Sequence, residues 1–387
     1  MRRLVRASGR IAVIAIITFG LYLAVDIAVG LALHRSAEVA PEDLRTQPAY
    51  ASEPYATLDF SREKAEIGPN RTLFGTRLYI PAAHRGKLIN IERLPPTGLP
   101  YRRTANPPRD RRPVMEVLLL GGSTVLGIDV PDDLTIASAL SASLNAMDPA
   151  HDYQVVNAGV TGVDSTGEAD RLAYELSHDR RPSVVVVVDG GMDIFKGLYL
   201  GYPGLRAPRS GLNELFQAYF PLNIYRWLVN WMSLRAVRAN QKVMPAHVRD
   251  QAELDVLAEK TIDVYLHNQA EMSAAASSVG ARFITVLQPS PYSTDYIHKT
   301  PDLGYVDGLV RHNWPGLAEL MTRYTRRWIE ACRKLRSDGI EALDLSAVFK
   351  DKSDNIFLDF GHYNSVGNRV IAQRIAETLL QHAGAAR

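Results

Sequence analysis

The chain has 387 residues, a net charge of +2, a single cysteine and 46% hydrophobic residues. That length suits two or three units of ~150 residues, or one large α/β domain with additions, and it can build a core without metal or disulfide staples. Cys332 has no partner for a disulfide or a CxxC site, the near-neutral balance argues against a nucleic-acid partner, and a 22% charged fraction beside abundant Val, Leu and Ile excludes a largely disordered chain.

Arg2, Arg3, Arg6 and Arg10 precede an apolar run from Ile11 to Leu33, closed by His34 and Arg35. A bilayer core needs about 20 apolar residues, so the run is long enough to span. The alternative is a cleaved signal peptide, but its apolar region is usually only ~7–15 residues and no small-x-small site follows here. Residues 1–35 are therefore read as an Arg-rich cytoplasmic tail and an uncleaved single-pass anchor. Positive charge before the span keeps the N-terminus inside, so the rest of the chain is expected outside the cytoplasm at the cell membrane. Asp26 interrupts the run. A carboxylate at the centre of a span costs ~2.5–3.5 kcal/mol and can mark a helix partner; it is read here as lying near the outer interface, about two turns from the end of the run.

Residues 36–113 are rich in Pro and polar residues and read as an extracytoplasmic linker or small subdomain. Arg77–Ile80, stopped by Pro81, and Lys87–Ile91 are candidate short strands. Tyr101–Pro113 reads as an extended linker, because proline excludes regular helix and its predecessor avoids the α region. Its five arginines are either solvated or face lipid phosphate or an acidic glycan.

From residue 114 to 387 the texture is that of one domain. Val114–Leu120, Tyr153–Asn157, Ser183–Val188, Arg282–Leu287 and Glu341–Leu345 read as strands. Asp132–Met147, Leu254–Ser278, Leu317–Ser337 and Ser365 to about His382 read as helices. Five valines in a row at 184–188 suit a strand buried on both faces. Strands alternating with helices predict an α/β fold, a parallel sheet covered on both sides. An insertion near 195–248 holds Tyr199, Tyr202, Phe216, Tyr219, Phe220, Tyr225, Trp227 and Trp231. It is either a lid or membrane-resting surface, or an extra helical layer on the sheet.

In open parallel sheets, ligands bind beyond the carboxyl ends of the strands. Four such segments stand out. Gly121-Gly122-Ser123-Thr124 offers a tight turn that would expose Ser123 at a helix N-terminus, where developing negative charge is favoured; the serine needs an adjacent base to act as a nucleophile. Asn157-Ala158-Gly159 would let a backbone N–H approach a substrate, or is a plain turn. Asp189-Gly190-Gly191-Met192-Asp193 closes the valine strand. In Asp359-Phe360-Gly361-His362, the Asp can hold the imidazole in one tautomer and orientation, unless His362 is a capping or core residue. The other histidines show no metal-ligand spacing, and neither an HExxH motif nor a Walker loop occurs.

Together these blocks resemble the SGNH/GDSL hydrolase family, in the family's order and across 114–382. Gly122-Ser123 is similar to the serine block, in the GGST form of membrane-anchored bacterial members, Gly159 to the glycine block, and Asp359 with His362 to the DxxH block. The resemblance implies a three-layer, flavodoxin-like α/β fold and ester hydrolysis or acyl transfer with no metal or cofactor. It implies Ser123 as nucleophile, His362 as base, Asp359 as its orienting carboxylate, and an oxyanion hole from the N–H groups of Ser123 and Gly159.

One position departs from the pattern. The third block, GxND, places an Asn donor where this chain has Met192, followed by Asp193. A thioether donates no hydrogen bond, and losing one oxyanion donor typically costs about 10²–10³ in turnover. Asn157 and Asn364 are candidate substitutes. The expected function is a membrane-anchored serine esterase or O-acyltransferase on an extracytoplasmic acylated glycan or lipid-linked sugar. The alternatives are a catalytically weak or inactive glycan-binding or assembly protein, and an interaction scaffold held by the membrane. The sequence leaves the oligomeric state open.

Overall fold

The strand Val184–Asp189 is buried along its whole length, which requires cover on both faces of its sheet. The computed structural model describes residues 17–26, 28, 43–67, 71–74, 78–110, 112–201, 203–204, 250–293 and 303–383. The chain divides into two compact units, Met1–Ala40 with Arg209–Val243, and Pro41–Pro208 with Met244–Arg387. In the first, residues 17–26 and 28 are helical, with Ile17, Phe19, Leu21 and Leu23 exposed and Asp26 buried. Among the described residues no helix is long and apolar enough to cross a membrane; the remainder of the anchor expected over 11–33 lies outside them.

The second unit contains ten strands among its described residues: β1 (Arg71–Phe74), β2 (Leu78–Pro81), β3 (His84–Arg85), β4 (Asn90–Arg93), β5 (Pro100–Arg102), β6 (Val114–Gly121), β7 (Asp152–Asn157), β8 (Val184–Asp189), β9 (Arg282–Leu287) and β10 (Ala342–Asp344). Its main helices are α1 (Leu58–Ile67), α2 (Ser123–Leu126), α3 (Ile136–Met147), α4 (Ser165–Ser177), α5 (Gly191–Ile194), α6 (Gln251–Ser278), α7 (Leu303–Asn313), α8 (Leu317–Ser337) and α9 (Ser365–Ala383). β1 and β2 form a separate antiparallel pair. The other eight strands form one sheet in the order β10-β9-β8-β6-β7-β5-β4-β3. Its five strands from β10 to β7 are parallel. Numbered along the chain, these five run 2-1-3-4-5 across the sheet, the flavodoxin-like order.

Alternation along each strand sends side chains to opposite faces. Val117, Leu119, Val184, Val186, Val188, Ile284 and Val286 enter one core with α3, α8 and α9. Leu118, Leu120, Val185, Val187 and Phe283 enter the other, against α4 and the C-terminal half of α6. The structure thus has the three layers expected.

Two boundaries differ from the sequence reading. Residues 36–113 do not stand apart: from Asp43 onward the described part joins the second unit, and β3, β4 and β5 extend its sheet antiparallel beyond β7. Composition hid this because these strands are only two to four residues long. Arg102, read as part of an extended linker with its arginines solvated or facing lipid phosphate or glycan, is buried. It donates to Asp132 Oδ1 at 2.7 Å and to the carbonyls of Gly127 and Val130 at 3.2 and 2.8 Å. Arg112 pairs with Asp110 and Asp152. The helix expected over Asp132–Met147 is broken at Thr135, whose hydroxyl accepts from Ser138 N and caps α3. Of the insertion near 195–248, α5 runs on into one π-helical turn, Phe195–Tyr199; residues 205–248, and Tyr202, lie outside the described residues.

Candidate active site

β6 is where the strand order reverses, with β7 on one side and β8 on the other. Doubly wound sheets bind ligands at that point, beyond the strand ends. The turns after β6, β7 and β8 carry Ser123, Gly159 and Met192.

Ser123 opens α2, a single turn, so its N–H is one of those a helix start leaves without an intrahelical partner. The residue is 8% exposed. Ser123 Oγ lies 2.7 Å from His362 Nε2, although 239 residues separate them in the chain. The neighbouring Thr124 hydroxyl donates to Gly361 O at 3.2 Å, tying the serine turn to the histidine loop.

The Asp359–His362 loop folds around its own carboxylate. Asp359 Oδ1 accepts from the N–H groups of Gly361 and His362 at 2.8 and 2.9 Å, an aspartate-led turn. Its other oxygen, Oδ2, is left for His362 Nδ1 at 2.6 Å. The three-residue spacing read from sequence therefore places the imidazole correctly because backbone amides fix the carboxylate first. The Leu358 N–H donates to His362 O at 2.9 Å and closes the loop. Asn364 Oδ1 accepts from Val366 and Gly367 N–H to start α9.

Charge follows this geometry. Burial alone would lower the His362 pKa, but the Asp359 carboxylate, and then Asp129, outweigh it and push it up to about 9; Lys64 opposes them. For Asp359, burial raises the pKa, and the charge and hydrogen bond of His362 together with the two amides lower it to about 2. At neutral pH the pair rests as imidazolium and carboxylate.

The surroundings of Gly159 and Met192, the residues expected at the oxyanion side, are crowded. Gly159 packs on the serine turn: a Cβ there would collide with Leu126 N and lie 2.8 Å from Leu126 Cα. Its N–H donates to Asn157 Oδ1 at 3.0 Å. Asn157 Nδ2 donates to Val125 O at 2.8 Å, so this amide braces the turn rather than facing a substrate. Asn364 Nδ2 is likewise spent, on the carbonyls of Ala49 and Asn355. Gly190 takes φ 95° to begin α5, a conformation that favours glycine. The next turn brings Met192 beside Gly122, where a Cβ would lie 3.7 Å from Met192 Cγ.

Asp193, singled out with Met192, points the other way. It is buried, accepts from the Ser165 hydroxyl at 2.6 Å and from Ser165 N–H at 3.3 Å, and so anchors the start of α4. Burial and the carboxylates of Asp164 and Asp189 push its pKa up to about 8.

Three features escaped the sequence reading. Gln288, just after β9, lays its amide across Gly191 and Gly361; a Cβ on Gly361 would be 3.2 Å from Gln288 Nε2. That amide makes no side-chain hydrogen bond among the described residues, and nothing in its sequence context signals its position. Asp129 Oδ2 lies 3.9 Å from His362 Nδ1. Beside His362, Phe360 stacks on Phe195 at 5.4 Å and meets Trp314 edge-on at 5.0 Å, forming an aromatic wall. Among the described residues, no group of His, Cys, Asp or Glu is arranged to hold a metal ion.

No family model and no curated protein matches the chain. Among solved structures it is similar to a lipolytic protein of the G-D-S-L family from Veillonella parvula, with 14% identity, 68% of this chain and 97% of the other covered, and a TM-score of 0.38. It is similar to a catalytic variant of an acetylxylan esterase from Geobacillus stearothermophilus, with 11% identity, 71% and 94% covered, and a TM-score of 0.38. It is also similar to a two-domain esterase active on acetylated mannans, with 14% identity, 69% and 49% covered, and a TM-score of 0.36. The parallel strands of this chain take the flavodoxin-like order, and beyond their carboxyl ends Ser123 Oγ, His362 and Asp359 are joined by contacts of 2.7 and 2.6 Å.

Proposed function

We propose that the chain is a membrane-anchored serine esterase or O-acyltransferase acting on an extracytoplasmic acylated glycan or lipid-linked sugar. One observation carries the catalytic part: Ser123 Oγ, His362 and Asp359 are linked by contacts of 2.7 and 2.6 Å. That is the nucleophile, base and orienting carboxylate of acyl transfer. Neutral His362 Nε2 takes the Ser123 proton as Oγ bonds to the acyl carbonyl carbon, whose oxygen becomes the oxyanion. Collapse breaks the ester C–O bond, and the sugar oxygen leaves with the proton from His362. Water or an acceptor hydroxyl then gives its proton to His362 and attacks the acyl-serine. The acyl group departs as an acid or a new ester, and the proton returns to Ser123. Asp359 keeps the Nδ1 proton in place throughout.

The anchor is supported by the arginine cluster and the apolar run of 11–33. A sugar-borne ester is supported by the half-buried faces of Phe195 and Trp314 around Phe360, next to the histidine loop. The test is fluorophosphonate labelling of the detergent-solubilised full chain beside Ser123→Ala, with acyl release from acetylated glycans as the second readout. Label confined to the parent protein supports serine catalysis. Absence of label, or equal labelling of the alanine variant, rejects it.

A second reading, a glycan-binding protein without turnover, is favoured by Met192 and by the Gly159 N–H already being donated to Asn157. Glycan binding that persists in Ser123→Ala, with no acyl release by the parent, would select it. Membrane attachment is tested separately by carbonate extraction, and its orientation by protease access from the outer side.

A further inference from the structure

The N-terminal segment, outside the block-bearing part of the chain, reaches the back of the candidate base. Its core residues Tyr50, Phe60 and Ile67 pack with Leu126, at the end of the serine turn, and with Leu358, just before Asp359. Glu53 accepts from the Ser365 hydroxyl at 2.8 Å and from the Ser365 N–H at 3.2 Å, at the start of α9. Apolar packing and a buried carboxylate thus tie this segment to both stretches of the chain that form the site.

A polar relay runs through the same contact. Lys64 Nζ, on α1, lies 2.6 Å from Asp129 Oδ1 and donates to the Tyr50 hydroxyl at 3.1 Å. The Tyr50 hydroxyl donates to the same carboxylate oxygen at 3.1 Å. Asp129, on the loop between α2 and α3, is 6% exposed. Its Oδ1 is thereby fixed from the N-terminal side, while Oδ2 faces His362 Nδ1 at 3.9 Å. That distance is too long for a hydrogen bond, and the Nδ1 proton already goes to Asp359. Asp129 therefore acts on the imidazolium through space. Two carboxylates, Asp359 and Asp129, draw positive charge onto one ring, and one cation, Lys64, offsets the second of them.

We propose that Asp129 is a second, positioning carboxylate of this site and that Lys64, delivered by the N-terminal segment, sets how strongly it holds the imidazolium. The groups facing the ring are Asp359 on its own loop, Asp129 after α2, Ser123 on α2 and Lys64 on α1. Tyr50 stays a neutral hydroxyl, because burial and then the Asp129 carboxylate raise its pKa well above the usual value. Burial also raises the pKa of Tyr363, the residue after His362, so it adds no charge. The assignment of His362 as a base rests on the proposed esterase reading, but its titration does not.

The experiment is a histidine-selective NMR titration of the full chain in detergent, with His362→Asn to identify the resonance, and the acid limb of kcat/KM where turnover is present. Asp129→Asn is expected to lower the His362 midpoint by about one pH unit, since a charge at this distance shifts a pKa by that order. Lys64→Met is expected to raise it, and Lys64→Arg, which keeps the charge, to leave it near the parent. Thermal melting identifies any variant that fails to fold, and the lysine pair still decides the matter if Asp129→Asn does. Midpoints unchanged in Lys64→Met, or moved downward, overturn the proposal even if the protein proves to be an active esterase. The expected shifts in a protein without turnover would uphold the relay while the esterase reading failed.

Discussion

Met192 lies against Gly122, the residue before the candidate nucleophile; a Cβ on that glycine would sit 3.7 Å from the Met192 Cγ. A thioether thus sits against the serine turn, at the sequence position where the resembled block carries an asparagine. Met192→Asn is expected to raise kcat on an activated acetyl ester, toward the ~10²–10³ that one oxyanion donor is worth. Gln288 is the nearby amide with no hydrogen-bond partner among the described residues, and Gln288→Ala should lower kcat about tenfold or more if it serves as the substitute. Steady-state kinetics on both variants and their combination check this. If Gln288→Ala has parental kinetics, Gln288 is not the substitute donor.

The resting ion pair predicts an alkaline activity profile. His362, raised to about 9 chiefly by Asp359 against the opposing effect of burial, must lose its proton before it can accept one from Ser123. kcat/KM should therefore climb about tenfold per pH unit and level off above about 9. Stability moves the other way. The folded pKa of His362 is above its ordinary 6.5, so its contribution is complete below about 6.5 and is lost as pH rises through about 9. For Asp359, depressed to about 2, the contribution is present above about 3.9 and is lost as pH falls through about 2. Rate profiles and melting curves over the same buffers test both signs; an activity plateau already reached at pH 6 would contradict the first.

Gly159 has no room for a side chain. An added Cβ would meet the backbone of Leu126 and Val125, which cannot rotate away as a side-chain tip can. Gly159→Ala is expected to cost about 1–3 kcal/mol of stability, as overpacking does. It should also lower activity disproportionately by moving the serine turn. Denaturant unfolding and fluorophosphonate labelling, run side by side, separate these two losses.

Behind the Met192 turn lies a buried group of carboxyls. Burial, and then the neighbouring Asp189 and Asp193 carboxyls, raise the Glu168 pKa well above its ordinary value. Glu168→Gln is expected to leave the melting temperature at pH 7 nearly unchanged. Asp193, pushed up to about 8, contributes stability that is complete below about 3.8 and is lost as pH rises through about 8. Asp193→Asn should accordingly flatten the fall in melting temperature between about pH 4 and 8. A steep drop at pH 7 in Glu168→Gln would show that the carboxyl is ionised in the folded protein.

The strands and helices that carry the four blocks were legible because their signals are local. A run of five valines cannot be solvated, and Gly121-Gly122 or Asp189-Gly190-Gly191 must end a strand. The DxxH spacing was legible for the same reason, since its geometry is set by amides two and three residues away. The short strands β3 to β5 were not, because two to four residues carry too little periodicity and their pairing partners are distant in sequence.

The layered α/β architecture, the candidate residues Ser123, Asp359 and His362, and the apolar, arginine-led N-terminus are legible in the amino-acid order. Those follow from side-chain chemistry repeated at short intervals. That Asn157 and Asn364 are spent on backbone groups, that Gln288 lies between Gly191 and Gly361, and that Lys64 and Asp129 stand behind the imidazole emerges with the fold. Each of these relations joins segments tens to hundreds of residues apart. Hydrogen bonds and charges act over a few ångströms of space, and it is the folded sheet that brings those segments within range.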